Sequence, residues 1–303
     1  MKLRNAVTVA LTCGALAGAG PIAFAKNTNQ SSVRKMTPTP AASSKQDHVK
    51  EAASNELYKR RKALVKEAVA ANDEMVRAVM ALNQKDTKKA FKLLEQADGQ
   101  LNVVLARDPH LKLAPIGVRA SLNDLEGTSG QVHKEVEKAK KELDKGDVQD
   151  ARAALLPIAS EMRIATDYIP LEVYPDSIKK ASQEIQAGKL DDAKLTLAAA
   201  MSSIVTIEDV IPLPPIKAEG DVLHAEGLIK MDKAKYKDAA EDLLKSADDQ
   251  LAFATALGYG PYKEIRDQIK SVKSDIASGT VKPNAFDRLK HLLHELTHKS
   301  AQG

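Results

Sequence analysis

The residues with the clearest capacity for chemistry lie near the carboxyl end, in the sequence HELTH at 294–298. This H-E-x-x-H spacing is the one in which two histidines on a helix bind zinc and the glutamate acts as a general base. A catalytic zinc needs a third protein ligand, which usually follows downstream, and only residues 299–303 follow here. His291 is on the same helix as His298, but seven residues of helix separate two positions by about 10 Å. The motif therefore does not predict a peptidase.

The helix that carries HELTH is expected to begin near Asn284 and to bury its other face. At helical spacing one stripe is apolar, and the histidines fall on the opposite side. The apolar residues are Phe286, Leu289, Leu292, Leu293 and Leu296, and the histidines are His291, His294 and His298. We interpret the histidine face as exposed, with a weak metal-binding pair as the alternative. No catalytic, cofactor-binding or metal-binding residue is predicted.

Other candidate chemistry is sparse. The chain has no glycine-rich phosphate loop and no G-x-S-x-G sequence, and His224 has the apolar neighbours of a packed or exposed residue. Its few aromatic residues gather with prolines at two places where helices are expected to meet. They either line a groove or cover the ends of helical hairpins, and we favour the second interpretation. This group comprises Tyr168, Pro170, Tyr174, Pro175, Tyr259, Pro261 and Tyr262. We expect no enzyme.

The amino end has the organisation of a secretory signal peptide. Lys2 and Arg4 precede an apolar run at 6–22, and Ala-Phe-Ala at 23–25 is a small-residue cleavage signal. Cleavage after Ala25 would place the mature protein in the periplasm. The one cysteine, Cys13, would leave with the peptide, so that no disulfide can form. No other apolar run approaches membrane-spanning length, and no membrane insertion is expected.

The mature chain is nearly neutral and is mostly one domain. Without Lys2 and Arg4, 43 basic and 41 acidic residues remain, a net charge of +2. These charges are mixed along the chain, which argues against nucleic acid as a partner. Residues 26–45 are poor in apolar side chains and are predicted to be a disordered tail. Residues 46–303 are predicted to form a helical domain.

The sequence of most of this domain predicts amphipathic helices built from small and aliphatic side chains. Aromatic residues are 3% of the chain, and tryptophan is absent. The first long segment shows apolar residues at helical spacing from Leu57 to Met80. A core of alanine and aliphatic side chains favours close helix–helix packing over a cavity lined by rings.

A repeated pattern divides the helices into hairpins. In each copy an apolar residue is followed by a glycine, lysine or alanine that closes one helix in a left-handed cap, and then by an alanine and a leucine of the next helix. The alanines are Ala90, Ala151, Ala193 and Ala239, and the leucines are Leu94, Leu155, Leu197 and Leu243. A looser fifth copy contains Ile276, Gly279, Ala285 and Leu289. Each copy predicts a helical hairpin, in an array with the period of paired-helix repeats. The turns resemble those of tetratricopeptide repeats, whose first-helix pattern is missing.

Short extended segments interrupt the helices. Residues 146–171 align without gaps on 188–213, and both end in Ile-Pro-Leu after a stretch rich in β-branched residues. The predicted extended segments are 115–122, 164–168 and 205–210. We expect them to pair into a small β-sheet, with extended linkers as the alternative. The predicted fold class is mainly α.

Several of these stretches resemble one protein family. ATDYIPLEVYPDSIKKA at 165–181, VIPLPPIKAEGDVLHAE at 210–226 and LAFATALGYG at 251–260 are similar to the YfdX family, over roughly 50–262. The resemblance implies a largely helical, secreted bacterial protein linked to tolerance of heat and acid. It also implies self-association into a homo-oligomer and chaperone-like behaviour, with no catalytic residues. HELTH lies outside the resemblance.

The sequence therefore favours a periplasmic, non-enzymatic stress protein that binds partly unfolded proteins through apolar surface between helical hairpins. The alternative is a helical scaffold with one specific protein partner. A more remote alternative is a zinc-binding protein that uses HELTH.

Overall fold

The computed structural model describes residues 7–11, 40–282 and 284–299, which form helices joined by short turns together with one small sheet. The helices are α1 (Pro40–Lys62), α2 (Lys66–Asn83), α3 (Thr87–Arg107), α4 (Ser129–Asp144), α5 (Val148–Leu155), α6 (Tyr174–Gln186), α7 (Leu190–Ser202), α8 (Leu213–Met231), α9 (Lys237–Ala256), α10 (Lys263–Ala277) and α11 (Asp287–Lys299). The strands are β1 (Val7–Leu11), β2 (Leu113–Asp124), β3 (Glu161–Pro170) and β4 (Val205–Pro212). Among the described helices, none is both long enough and apolar enough to span a bilayer. The predicted mainly α fold is confirmed.

The strands follow one another across the sheet in the order β1-β2-β3-β4. The three predicted extended segments fall within β2, β3 and β4, so their pairing into a sheet is confirmed. Strand β1 was not predicted; it lies in the expected signal peptide and pairs antiparallel with β2, with Val7 opposite Asp124.

Two expected segments at the amino end are described only in part. The expected signal peptide is described at residues 7–11, and the rest of residues 1–25 lies outside the described residues. The tail predicted at 26–45 is described from Pro40, and its last six residues are the first residues of α1 rather than disordered chain.

The chain divides into two compact units. The first comprises the described parts of Met1–Asn55, Ala120–Arg163 and Asp209–Gly303, and the second comprises Glu56–Arg119 and Ile164–Glu208. The chain passes from one unit to the other within α1, β2, β3 and β4.

The second unit contains the hairpins α2–α3 and α6–α7. Alanines supply much of its core, including Ala71, Ala90 and Ala193, which are fully buried. Small side chains let helix axes approach closely, as the composition predicted. The apolar series from Leu57 to Met80 belongs to two helices rather than one. The break between α1 and α2 is held by Val65, whose backbone N–H donates to the carbonyl of Pro115 at 2.9 Å.

The first unit contains the hairpins α4–α5, α8–α9 and α10–α11. Helices α8 to α11 share one core of aliphatic side chains and alanines. The hairpin α4–α5 has its own small core, formed by Ala139, Ala151 and Ala154. The amino-terminal part of α4 packs against α9 through Val132 and Phe253.

The predicted hairpin turns are confirmed at most positions. Lys85, Gly146, Gly188 and Gly279 adopt left-handed backbone conformations, with φ of 61°, 86°, 75° and 76°. A residue in this conformation ends one helix and allows the chain to turn before the next helix begins.

The predicted register is wrong in the fourth copy. Ala234 is not left-handed, and the buried alanine of α9 is Ala240, whereas Ala239 is exposed. The physical reason is the turn at 232–236, which is longer than the turns at 84–86, 145–147 and 187–189. In every copy from α3 to α9 the buried alanine is the fourth residue of the second helix.

Candidate functional site

A cluster of uncovered apolar side chains lies on the hairpin α4–α5 of the first unit. Leu143, Val148, Leu155 and Leu156 are all exposed, and Leu156 is 75% accessible. Single exposed apolar residues are common, but a contiguous group is typical of an interaction surface. This group is therefore the candidate functional site, and it includes Leu155, the leucine of the second repeat copy.

Local sequence explains why these side chains remain uncovered. Helix α4 begins at a capping box, in which Thr128 accepts from the backbone N–H of Gln131 and the Gln131 side chain accepts from that of Thr128. Helix α5 ends at Leu155 because Pro157 has no backbone N–H to continue the helix. Leu155, the last residue of α5, and Leu156, which follows it, are not part of the small hairpin core of Ala139, Ala151 and Ala154.

These side chains line an open groove of about 560 Å³. Its wall is completed by Ile158, Leu257 and Tyr259, and Arg152 and Arg163 lie at its margin. We call these residues, with the four exposed apolar residues of the hairpin, the hairpin groove. The lining of the hairpin groove is mostly apolar, and its charged residues are Arg152, Arg163 and Glu161.

A fixed polar group closes one side of the hairpin groove. The Tyr259 hydroxyl donates to Glu161 Oε2 at 2.8 Å and accepts from the backbone N–H of Ser160 at 3.1 Å. Arg163 Nε donates to Glu161 Oε1 at 2.6 Å, so that both carboxylate oxygens are hydrogen-bonded. Burial, together with the hydrogen bond to Glu161, raises the pKa of Tyr259. A phenol held in its neutral form can donate and accept hydrogen bonds, but it does not supply a nucleophile.

An acidic group lies at the turn of the same hairpin. Glu142, Asp147 and Asp150 place carboxylate oxygens within 4.8 Å of one another. Lys145 donates to Glu142 at 3.0 Å, and Asp147 and Asp150 are exposed. This group is a solvated acidic patch on the same hairpin as the hairpin groove.

The aromatic and proline group singled out in the sequence does not form one site. Tyr168, Pro170, Tyr174 and Pro175 belong to the second unit, and Tyr259, Pro261 and Tyr262 belong to the first. Tyr174 is buried and its hydroxyl donates to Asn72 at 3.3 Å. Tyr262 is buried in the core of the first unit. Tyr259 is the member of this group that lines the hairpin groove.

The structure places the histidines of α11 largely as the helical spacing predicted. Leu289 and Leu293 are fully buried, and His291 and His294 are exposed. The side chain of His298 lies outside the described residues. His294 lies near Glu219 of α8, with 4.0 Å between His294 Nδ1 and Glu219 Oε1. This contact between two helices could not be predicted from helical spacing alone.

The region that contains most of the hairpin groove is similar to a known protein family. A family model described as YfdX protein matches residues 71–210, so the resemblance to the YfdX family is confirmed for this region. The solved structure of Salmonella Typhi YfdX is similar at 21% sequence identity, over 50% of this chain and 93% of that chain, with a TM-score of 0.36. No curated protein matches the chain.

Proposed function

For a chain whose residues 71–210 are a YfdX-family region, we propose a non-enzymatic, chaperone-like function in the periplasm: reversible binding of partly unfolded protein segments at the hairpin groove. The observation that carries this proposal is the contiguous exposure of Leu143, Val148, Leu155 and Leu156.

The hydrophobic effect gives such a groove affinity without sequence specificity. Burying apolar surface contributes about 25 cal/mol per Å², whatever the identity of the side chain that covers it. Unfolded segments expose leucine, valine and phenylalanine, and an open groove accepts them in many registers. Since the floor of the groove lies on the surface, release requires no conformational change.

The charges around the hairpin groove support the same function. Arg152 and Arg163 lie at its margin, and the acidic patch of Glu142, Asp147 and Asp150 is on the same hairpin. Mixed charge keeps a complex with an aggregation-prone client in solution. Heat and acid, the stresses that the family resemblance implies, both increase the population of partly unfolded clients.

The experiment is an aggregation assay with a heat-denatured reporter protein. The double variant Leu143→Ser/Leu156→Ser is expected to lose most of the suppression of light scattering. The matched control is Leu195→Ser, which alters an equally exposed leucine on α7 that does not line the groove. Exposed substitutions of this kind change the free energy of unfolding by only about 0.5 kcal/mol, so both variants should melt like the wild type. Full suppression by the double variant would exclude the hairpin groove as the binding surface.

A scaffold with one specific protein partner is the second candidate. The ordered group of Tyr259, Glu161 and Arg163 favours it, because fixed hydrogen-bonding groups at the edge of an apolar surface give specificity. Crosslinking from a photoreactive residue at position 156 distinguishes the two. Many unrelated products support the chaperone-like function, and one dominant product supports the scaffold. A dominant product that is a second copy of the chain would identify the groove as the homo-oligomer interface.

A further inference from the structure

Three helices of the first unit bring potential metal ligands together, away from the hairpin groove. They are His48 of α1, Glu219 of α8 and His294 of α11. His48 Nε2 lies 3.8 Å from Glu219 Oε2, and His294 Nδ1 lies 4.0 Å from Glu219 Oε1. The carboxylate therefore has one imidazole nitrogen facing each of its oxygens.

The position of His48 depends on a glycine. A Cβ atom at Gly220 would lie 3.2 Å from the imidazole ring and Cβ of His48, closer than nine in ten real Cβ contacts. Because Gly220 has no side chain, the ring can lie directly against α8. In this position His48 Nε2 is buried, and no hydrogen-bond partner meets it in the part of the chain that the structure describes. A buried ring nitrogen without a hydrogen bond is costly unless another ligand satisfies it.

The carboxylate of Glu219 is also oriented. Thr297 Oγ1, one turn after His294 on α11, lies 3.2 Å from Glu219 Oε2, and its single proton is shared between this oxygen and the backbone carbonyls of Leu293 and His294. The Glu219 side chain is mostly buried. A carboxylate held by a hydroxyl donor is the usual outer-shell arrangement of a metal ligand.

We propose that His48, Glu219 and His294 form a binding site for a divalent transition-metal ion, best suited to Zn²⁺. Two imidazole nitrogens and a carboxylate are a common zinc ligand set, with bonds of about 2.0–2.2 Å. In a tetrahedral site two such ligands lie about 3.3 Å apart. The separations of 3.8 and 4.0 Å between each imidazole nitrogen and its carboxylate oxygen exceed this by less than one ångström. The three ligand atoms do not all lie within 4.8 Å of one another, so closing the site requires the exposed imidazole of His294 to rotate toward His48. Water completes the coordination.

This site differs from the one that HELTH suggests. It uses the first histidine of the motif, while Glu295 faces His291 at 3.8 Å on the same helix. The additional ligands come from α1 and α8, far away in the sequence. The ion would join the two terminal helices of the first unit to α8, and all three ligands lie outside the region that matches the YfdX family.

Zinc titration of the untagged, metal-free full chain by calorimetry tests the proposal. We expect one Zn²⁺ per chain and a melting temperature that rises with zinc. Glu219→Gln, His48→Ala and His294→Ala should each weaken binding at least about tenfold and abolish the zinc-dependent rise. His291→Ala, which removes an exposed histidine of the same helix, should bind as the wild type does.

The visible spectrum of bound Co²⁺ distinguishes a metal ligand from a residue that only stabilises the fold. Co²⁺ bound to two nitrogens and a carboxylate gives visible absorption bands, which should appear in the wild type and disappear in His294→Ala. Because His294 is exposed, this variant should fold even if His48→Ala does not. The proposal is overturned if the wild type takes up no zinc. It is equally overturned if His298→Ala abolishes uptake while His48→Ala and Glu219→Gln leave it unchanged, which would assign binding to the HELTH pair alone.

Discussion

Tyr259 and Glu161 are 98 residues apart in the sequence and joined by a hydrogen bond of 2.8 Å. Because the same hydroxyl accepts from Ser160, this tyrosine connects the segment between α9 and α10 to the start of β3. Both the Tyr259 and the Glu161 side chains line the hairpin groove, so the contact holds two of its polar groups in place.

Tyr259→Phe should therefore destabilise the first unit. The substitution keeps the ring but leaves a nearly buried carboxylate oxygen and a backbone N–H without this partner, at a cost of about 1–3 kcal/mol. Urea denaturation measures the change. The control is Tyr58→Phe, since the Tyr58 ring is exposed and its loss of a hydroxyl should be nearly neutral. Equal stability of the two variants would show that the Tyr259 hydroxyl contributes nothing.

The corrected register of the fourth hairpin gives a sharp packing test. Ala240→Leu and Ala193→Leu should each cost roughly 1–3 kcal/mol, because both alanines are fully buried where two helices meet. Ala239→Leu, one residue away on the exposed side of α9, should change stability by no more than about 0.5 kcal/mol. Thermal melts of the three variants decide the register, and a larger loss in Ala239→Leu than in Ala240→Leu would contradict it.

At the left-handed turn residues, a change to glycine should raise the free energy of unfolding and a change from glycine should lower it. Lys85 has φ of 61°, a conformation that costs a residue with a Cβ about 1–2 kcal/mol, so that Lys85→Gly should stabilise the protein by up to about 1 kcal/mol. Gly188 occupies the equivalent turn with φ of 75° and open space around it, so Gly188→Ala should destabilise by about 1 kcal/mol through backbone strain alone. Chemical denaturation of both variants provides the comparison. Changes of the same sign would mean that the turns are not equivalent.

Glu226 of α8 should make stability depend on pH in the acidic range. Burial alone would raise the pKa of Glu226, but Lys230 and Lys290, each 2.8 Å away, outweigh burial and lower it. The ionised form therefore stabilises the fold above the ordinary glutamate range, and this contribution is lost as the pH falls through the lowered pKa.

Glu226→Gln should accordingly cost about 1–3 kcal/mol near neutral pH and less at an acidic pH below the lowered pKa of Glu226, where the wild-type carboxylate has taken up its proton. The measurement is urea denaturation of both proteins at the two pH values. Glu264→Gln, which removes the exposed partner of Arg288, is the control and should have little effect at either pH. A Glu226→Gln effect that is constant with pH would exclude the ion pairs as its cause.

Export predicts a defined amino terminus. If residues 1–25 are a cleaved signal peptide, the periplasmic protein should begin at Lys26, and its intact mass should match residues 26–303. The matched variant is Ala25→Arg, which should block cleavage and leave the full-length mass. Cytoplasmic protein with an uncut terminus in the wild type would contradict the assignment.

Local signals made most of the fold predictable. Helical periodicity located the hairpins, and left-handed residues such as Gly146 and Gly188 marked their turns because few other residues tolerate that conformation. β-branched stretches before Ile-Pro-Leu located β3 and β4. The error at Ala239 arose because a longer turn shifts the register of the following helix, and a pattern aligned on turns cannot detect the shift.

The sites were less accessible to sequence reasoning because they depend on tertiary packing. The hairpin groove is lined by side chains of α4, α5 and the segment after α9, and the repeat pattern does not show which of them neighbouring elements leave exposed. His48, Glu219 and His294 come together only through the packing of three helices that are distant in the sequence. The missing signal was Gly220: a glycine inside a helix pattern often indicates close approach of another element, here the imidazole of His48.

Because the chain alternates between the two units, one unit can finish folding during synthesis before the other. The second unit ends at Glu208, so all of its residues have been synthesised before α8 begins. The first unit needs everything from Asp209 onward, including the helices that cover α8. A chain that emerges from its amino end should therefore complete the second unit early, while Val222 and Ala225 of α8 remain exposed until α9 and α11 have been synthesised. During that interval the protein is itself the kind of partly folded chain that the hairpin groove is proposed to bind.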